Sequence, residues 1–402
     1  MHITPKINGV VAQSAHPYGC EQSIRQQIQY AKTATPILNG PKRVLILGAS
    51  SGLGLAARIA LTFGGAEADT IGVSLDTPPQ ANHSGSAGFY NNYYFKQYAQ
   101  REGRTAIHIQ GDVFARQTKE AVIEAIETYF EGEVDLIIYS VASGKRRKAE
   151  GSDHFWHSAI KPIGQPLQSV LLDLGQDQWH DVILEPALEE EIDATLKVMG
   201  GEDWEAWIDA LINSESIADG CQSVAFSYIG AEFTHPIYLD GTLGRAKVDV
   251  HQTSHSLNLK LAHYGGRAYA AVCQALITRA SIFIPGLSPY LIALNQAMHT
   301  LGIHENCNSQ MQRLFTEKLY GPETVPVDGE RLIRLDEHEL TPEVQHQTQQ
   351  LLAEMNAENF SRSDAYQAFK TAFMQLNGFQ WPTIDERAPI DLRPFIKFAT
   401  KG

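Results

Sequence analysis

Eight residues separate Tyr238 from Lys247, and a further tyrosine, Tyr228, stands ten residues upstream of the first. A phenol can hydrogen-bond an oxygen that gains negative charge during a reaction. A nearby ammonium lowers that phenol's pKa and can grip a ribose. Gly241 and Gly244 fall between the pair, so the sequence predicts a loop, and not one continuous helix, to bring them together. Tyrosine and lysine at an arbitrary spacing mean nothing alone. Their context is a second constellation, Gly48-Ala49-Ser50-Ser51-Gly52-Leu53-Gly54, between the apolar run Val44–Leu47 and the apolar helix start Leu55–Leu61. A strand, a glycine turn and a helix N-terminus make an anion site, because free N–H groups and the helix dipole point at the ligand. Such turns also occur without ligands. The spacing is GxxxGxG, not the usual GxGxxG. Thr70–Asp76 reads as the next strand, and its acidic end lies 22 residues past Gly54. An acid there takes the adenosine ribose hydroxyls and repels a 2′-phosphate, which favours NAD over NADP.

These residues need a doubly wound frame to position them. Ala106–Val113 reads as a third strand ending in Gly-Asp, where Asp112 either accepts from an adenine amino group or caps the next helix. Lys119–Phe130 has helical amphipathicity, and Val134–Ala142 is a fourth buried strand whose small-residue end lets a cofactor ribose pass. The βαβαβ order is complete by residue 142, with strand ends facing one crevice. Outside it, Asn8-Gly9 within Ile7–Val11 predicts an N-terminal β-hairpin, and residues 21–33 a helix. Residues 78–88 form a polar, turn-rich insertion. The four tyrosines of Tyr90–Tyr98 read as a packed aromatic helix face. Lys145-Arg146-Arg147-Lys148 is either a solvated loop or an attraction for a phosphorylated substrate. Within 185–213, acid-rich first turns predict two helices joined at Gly200-Gly201.

Composition bounds the rest. The 402 residues are 43% hydrophobic and 9% aromatic, enough for a substantial core. A net charge of −14 disfavours nucleic acid and anionic membranes as partners. Cys20, Cys221, Cys273 and Cys307 show no metal-ligand spacing and read as reduced buried thiols; no metal is expected. The longest apolar stretch, 268–298, is interrupted by Arg279, Pro285 and Pro289, so no membrane span is expected. Nor is a secretory leader, which makes the cytoplasm the expected compartment.

The glycine spacing is that of short-chain dehydrogenases. Ordinary members put three residues between Tyr and Lys, and their classical enoyl reductases six. Eight, with a tyrosine ten residues upstream, resembles the single-chain enoyl-ACP reductases of the FabV type, which overlap with the bacterial trans-2-enoyl-CoA reductases. Ala15-His16-Pro17, Asn39-Gly40-Pro41-Lys42-Arg43, Lys161-Pro162-Ile163-Gly164, Val198–Trp204 and His304-Glu305 extend the resemblance over the whole chain.

The resemblance implies an α/β chain with an extended Rossmann fold, a doubly wound parallel sheet and an enlarged helical substrate-binding region. As a single domain, 1–402, it would have its Rossmann core at about 42–145 and 220–300, insertions at 146–219 and a C-terminal extension from 301. It further implies a monomer that uses NADH on acyl-carrier-protein or coenzyme A thioesters. Gly48, Ala49, Ser50, Ser51, Gly52 and Leu53 match the pyrophosphate turn, Leu75 and Asp76 the ribose contact, and Asp112 and Val113 the adenine contact. Ser140 and Val141 match the fourth-strand contact, and Leu276, Ile277 and Thr278 a nicotinamide-side segment. Tyr228 matches a substrate contact, Tyr238 the catalytic tyrosine, and Lys247 the lysine on the cofactor. Three departures stand out: Val248 where a second lysine is usual, Asp76 where glutamate is usual, and Ile282 and Phe283 where small residues are usual. The last two residues are expected either to line an acyl tunnel or to pack as core. Two rivals remain. A carbonyl reductase would carry Tyr-x3-Lys with an upstream serine, which no predicted helix holds. A redox-sensing regulatory protein would have no use for both Tyr238 and Lys247.

Overall fold

The computed structural model describes residues 1–81, 83–321 and 323–399; Asn82, inside the 78–88 insertion, lies outside the described residues. The hairpin is present as β1 (Ile7–Asn8) and β2 (Val11–Ala12). Its register pairs Asn8 with Val11, so the two-residue loop is Gly9-Val10, one position later than Asn8-Gly9. Gly9 supplies the positive φ, +59°, that such a loop requires. Then α1 (Pro17–Thr33) starts behind His16, whose Nδ1 accepts from the Gly19 N–H.

Apolar side chains on both faces suit only a strand covered by helices on both sides. That is the surrounding of β3 (Arg43–Leu47), which leads into α2 (Gly52–Phe63). β4 (Asp69–Ser74), α3 (Ala87–Arg101), β5 (Ala106–Gln110), α4 (Arg116–Tyr129) and β6 (Val134–Tyr139) continue the alternation. The hairpin β7 (Lys145–Arg147) and β8 (Phe155–His157) follows, then the hairpin β9 (Leu167–Asp173) and β10 (Gln178–Leu184). α5 (Glu189–Met199) and α6 (Glu202–Asn213) meet at Gly200-Gly201, as expected. β11 (Ile217–Ser227), the one-turn α7 (His235–Tyr238), α8 (Thr242–Ala262) and β12 (Arg267–Val272) return the chain to the sheet. The remainder is α9 (Leu287–Thr300), α10 (Cys307–Arg313), β13 (Ile333–Arg334), α11 (Pro342–Glu354), α12 (Asp364–Leu376) and α13 (Arg393–Ala399).

Seven strands form one parallel sheet in the order β5-β4-β3-β6-β11-β12-β13. The Rossmann-like expectation holds, and the strand order reverses between β3 and β6, where a crevice opens. β13 comes from beyond residue 300, so the sheet draws on the segment expected to be only an extension. Side chains alternate between two helical layers. Leu45 and Leu47 pack with Ile126, Trp204, Trp207 and Leu257; Val44 and Ile46 pack with Ala57, Ala60, Met311 and Phe315. A third cluster, off the sheet, joins α1, α3, α9 and α12 and contains both Tyr228 and Tyr238. The aromatic face of α3 is real: Tyr90 and Tyr94 are buried against Phe395 of α13.

Three residues of the basic run, Lys145–Arg147, are not a loop but the strand β7, paired with an aromatic partner strand. Arg146 stacks near Trp156, donates to the Lys197 carbonyl and pairs with Glu202, while Lys145 lies over Phe155. Those contacts engage Lys145 and Arg146, and Arg147 pairs with Asp153; Lys148 stays exposed. All four cysteines are free thiols, three buried and Cys307 half-buried. No helix among the described residues is long and apolar enough to cross a membrane.

Candidate active site

Three of the segments singled out by sequence converge at the crevice. Gly48 has φ of +92°, and a Cβ there would lie 2.1 Å from the Ser140 carbonyl oxygen, so the turn can close on β6 only with glycine. Gly52, at φ of +54°, faces the Thr278 side chain, 3.7 Å from where its Cβ would be. Ser51 precedes α2 in extended conformation with no side-chain cap, which leaves first-turn N–H groups open to a ligand. An uncapped helix N-terminus behind a glycine cradle fits a dinucleotide pyrophosphate.

The adenosine side is more occupied than the sequence suggested. Leu75 is 74% exposed, but Asp76 is 8% exposed. Its Oδ2 accepts from Ser74 Oγ at 2.6 Å and Asn92 Nδ2 at 3.2 Å, and its Oδ1 from Ser86 Oγ at 3.0 Å. Gln110 on β5 donates to the Asp76 carbonyl at 2.6 Å. Asp112 does not cap α4, whose cap is Ala115; its Oδ1 accepts the Phe114 N–H, an Asx turn two residues long. The Val113 carbonyl accepts from Lys119 Nζ and Trp207 Nε1.

Tyr238 ends α7, and Leu239-Asp240-Gly241 turns the chain into α8, which carries Lys247 on its second turn. A break between the two is present, but Gly244 does not cause it: Gly244 lies inside α8. A Cβ there would sit 2.2 Å from the Leu239 carbonyl oxygen, so its role is to let α8 pack tightly under the turn. Tyr238 forms part of the wall of a cavity of about 750 Å³, with Trp179, Phe233, Ile284, Leu287 and Met355 among its other lining residues. Burial, and then the negative field of Glu339, keep its phenol well above the usual range, so it holds its proton at neutral pH. Lys247 is half-buried and donates weakly, at 3.4 Å, to the Phe226 carbonyl near the end of β11. Burial lowers its pKa. One turn on, His251 Nε2 lies 2.7 Å from Ser227 Oγ, and burial and Lys247 push the imidazole down to about 4, which leaves it neutral.

Tyr228 is placed differently from a simple substrate contact. Its ring meets Tyr238 edge-on, with centroids 4.5 Å apart and planes at 84°. Its hydroxyl, however, points at Glu339 Oε1, 2.8 Å away, and packs against Gly230, whose φ is +81°. Ile282 and Phe283 also depart from expectation. Thr278 and Ser281 close a short turn on themselves, with Ser281 Oγ donating to the Leu276 carbonyl at 2.7 Å. That turn sends Ile282 into the core and leaves Phe283 49% exposed, so neither lines the cavity. Ile284, Pro285 and Gly286 line it instead. Sequence reasoning missed Glu339, Tyr290, Asn92 and Ser86. Ser86, three residues before Phe89 and ahead of an apolar run, had the pattern of a helix cap; the others had no local signal.

A description of the trans-2-enoyl-CoA reductase catalytic region matches residues 83–320, and one of the NAD(P)H binding domain of trans-2-enoyl-CoA reductase matches 2–81. A third, an enoyl reductase FAD binding domain, matches 327–390. In this chain that segment supplies β13, α11 and α12, which pack into the core; it presents no glycine-rich strand-to-helix turn, and its residues do not fit a flavin dinucleotide. The chain is 62% identical to an enoyl-[acyl-carrier-protein] reductase [NADH] of Vibrio cholerae over 98% of its length and 99% of that protein's. It is 42% identical to the Serratia proteamaculans enzyme of the same description, covering 99% and 98%. The crystal structure of Clostridium acetobutulicum trans-2-enoyl-CoA reductase in complex with NADH superposes with a TM-score of 0.94 at 38% identity, covering 99% of each chain. That of Treponema denticola trans-2-enoyl-CoA reductase in complex with NAD gives 0.90 at 38% identity, covering 97% and 98%.

Proposed function

This chain belongs to the trans-2-enoyl-CoA reductase family, and from that premise we propose how its residues divide the work. It is an NADH-dependent reductase of the trans-2 double bond in enoyl thioesters carried by acyl-carrier protein or coenzyme A, the last step of a fatty-acid elongation round. When bound, NADH supplies the hydride that reaches Cβ of the substrate. Gly48 to Leu53 and the N-terminus of α2 hold the pyrophosphate. Leu75 and Asp76 hold the adenosine ribose, Asp112 and Val113 the adenine. Ser140, Val141 and Leu276, Ile277 and Thr278 flank the nicotinamide half. Tyr238 hydrogen-bonds the thioester oxygen as it becomes an enolate, Tyr228 assists it, and Lys247 grips the ribose and tunes the phenol. The observation that carries this reading is the position of Tyr238. Its protonated phenol lies in the wall of a largely apolar cavity, on the helix pair that also bears Lys247. We take the chain as one domain over 1–402, acting as a monomer in the cytoplasm.

The test is the loss of NADH absorbance with crotonyl-CoA, set against acetoacetyl-CoA. Turnover of the enoyl thioester alone is expected. Turnover of the ketone alone would make the protein a carbonyl reductase, and turnover of neither would remove the reaction.

Asp76 gives a second expected result. A 2′-phosphate would place negative charge against a carboxylate, and like charges in contact cost several kcal/mol. NADH should therefore be preferred to NADPH by about 10²-fold in kcat/KM, and Asp76→Asn should narrow the ratio. Because Asn92 Nδ2 donates to Asp76, the variant is also expected to melt earlier than the parent. Equal kcat/KM for the two cofactors in the parent protein would refute the assignment.

A further inference from the structure

Glu339 lies between β13 and α11 with no exposed surface, and among the described residues no cation pairs with it. Its carboxyl group takes three hydrogen bonds. Oε1 accepts from Tyr228 Oη at 2.8 Å and from Tyr290 Oη at 2.7 Å, and Oε2 from the Ala275 N–H at 2.6 Å. A buried carboxylate without a cation is costly, and donated hydrogen bonds are what allow it to ionise at all. Burial pushes this carboxyl up to about 7, against the pull of its three donors. The titratable groups facing it are Tyr228 after β11, Tyr238 on α7, Tyr290 on α9 and Asp336 in its own segment. Neighbouring charges are engaged elsewhere: Asp336 pairs with Arg334, Glu337 with Lys318 and Arg313, and His338 lies 3.7 Å from Glu305.

A tyrosine has one hydroxyl hydrogen. While Glu339 is ionised, Tyr228 donates that hydrogen inward and has none for a substrate. Once Glu339 takes a proton from solvent, it can donate in turn to a tyrosine oxygen, and the Tyr228 hydrogen becomes free. Tyr228 also lies edge-on to the ring of Tyr238 that lines the cavity. We infer that Glu339 is a positioning residue whose proton decides whether the Tyr228 hydroxyl bonds inward to the carboxylate or outward to the reacting thioester oxygen. No bond to substrate forms or breaks at Glu339. The inference rests on the reading above that Tyr228 assists Tyr238.

The test is kcat at saturating NADH and crotonyl-CoA from pH 6 to 9. In the parent protein kcat should fall roughly three- to tenfold as pH rises through the neutral region, the worth of one hydrogen bond. Glu339→Gln keeps the shape but cannot ionise: its Oε1 can accept from Ala275 while its amide N–H donates to the tyrosines. Its profile should be flat, with kcat at pH 9 above the parent's and KM little changed. Tyr290→Phe removes a donor to the carboxylate, so the inflection should move to higher pH. That variant decides the matter if Glu339→Gln does not fold. An inflection that persists in Glu339→Gln, or stays put in Tyr290→Phe, overturns the inference alone. A Tyr228→Phe protein with the parent's rate and profile overturns the assisting role of Tyr228, and the inference with it.

Discussion

Tyr238→Phe should lower kcat by about 10²–10³ while leaving NADH binding near that of the parent. The phenol ring is part of the cavity wall and of the packed cluster around Tyr228, and phenylalanine preserves both contacts. Only the hydroxyl is lost. That hydroxyl makes no hydrogen bond within the protein among the described contacts, so the fold has no call on it. Its proton is held firmly by burial and by the field of Glu339, which suits a donor that must be present when an oxygen becomes negative. An interaction made only in the transition state affects kcat and kcat/KM alike, whereas ground-state binding would move KM. Removing one such donor costs roughly 3–4 kcal/mol. The measurement is steady-state kinetics with crotonyl-CoA beside a fluorescence titration of NADH. Full turnover in the phenylalanine variant would pass the role to Tyr228, whose hydroxyl would then have to leave Glu339.

What the sequence made legible was whatever depends on neighbours in the chain. The glycine turn after Leu47 was readable because a strand, a tight turn and a helix start follow one another within a dozen residues. The aromatic face of α3 and the Gly200-Gly201 junction were readable for the same reason. The errors arose where pairing partners decide. Asn8-Gly9 is a strong turn signal, yet cross-strand pairing of Ile7 with Ala12 moved the loop by one residue. Lys145–Lys148 has the composition of a loop, and only the aromatic strand Phe155–His157 opposite makes its first three residues β7. Gly244 looked like a helix breaker because helix propensity is local, but its glycine is needed for contact with Leu239. Glu339 was invisible. Its partners Tyr228, Ala275 and Tyr290 are 111, 64 and 49 residues away in sequence, and Asp336-Glu337-His338-Glu339 reads as an exposed charged run. Glu337 is exposed and His338 half-buried, while Asp336 is buried against Arg334 and Glu339 closes the core behind the tyrosines.

Lys247→Ala should weaken both cofactor binding and turnover, and that pairing distinguishes it from Tyr238→Phe. The ammonium is half-buried on α8 and has one weak backbone partner, the Phe226 carbonyl at 3.4 Å, so most of its donor capacity is left for a ligand. A hydrogen bond to a charged group is worth about 1.5–3 kcal/mol, which corresponds to an increase of roughly 10–100-fold in the Kd for NADH. Neither residue 248 nor residue 251 can replace it. Position 248, a second lysine in the family this chain resembles, is a valine here, 41% exposed, and His251 is held neutral. Alanine is the best helix former, so α8 should keep its length and the protein its melting temperature. The fall in kcat follows from positioning. On the proposed reading the ammonium and the phenol act on one bound pair of reactants, so losing the grip on the ribose misplaces the hydride donor relative to Tyr238 and lowers turnover. Lys247→Met, which keeps the stem and removes the charge, should reproduce both losses, because the charge and not the packing carries them. An unchanged Kd for NADH in both variants would detach Lys247 from the cofactor and leave it only the tuning of the tyrosine.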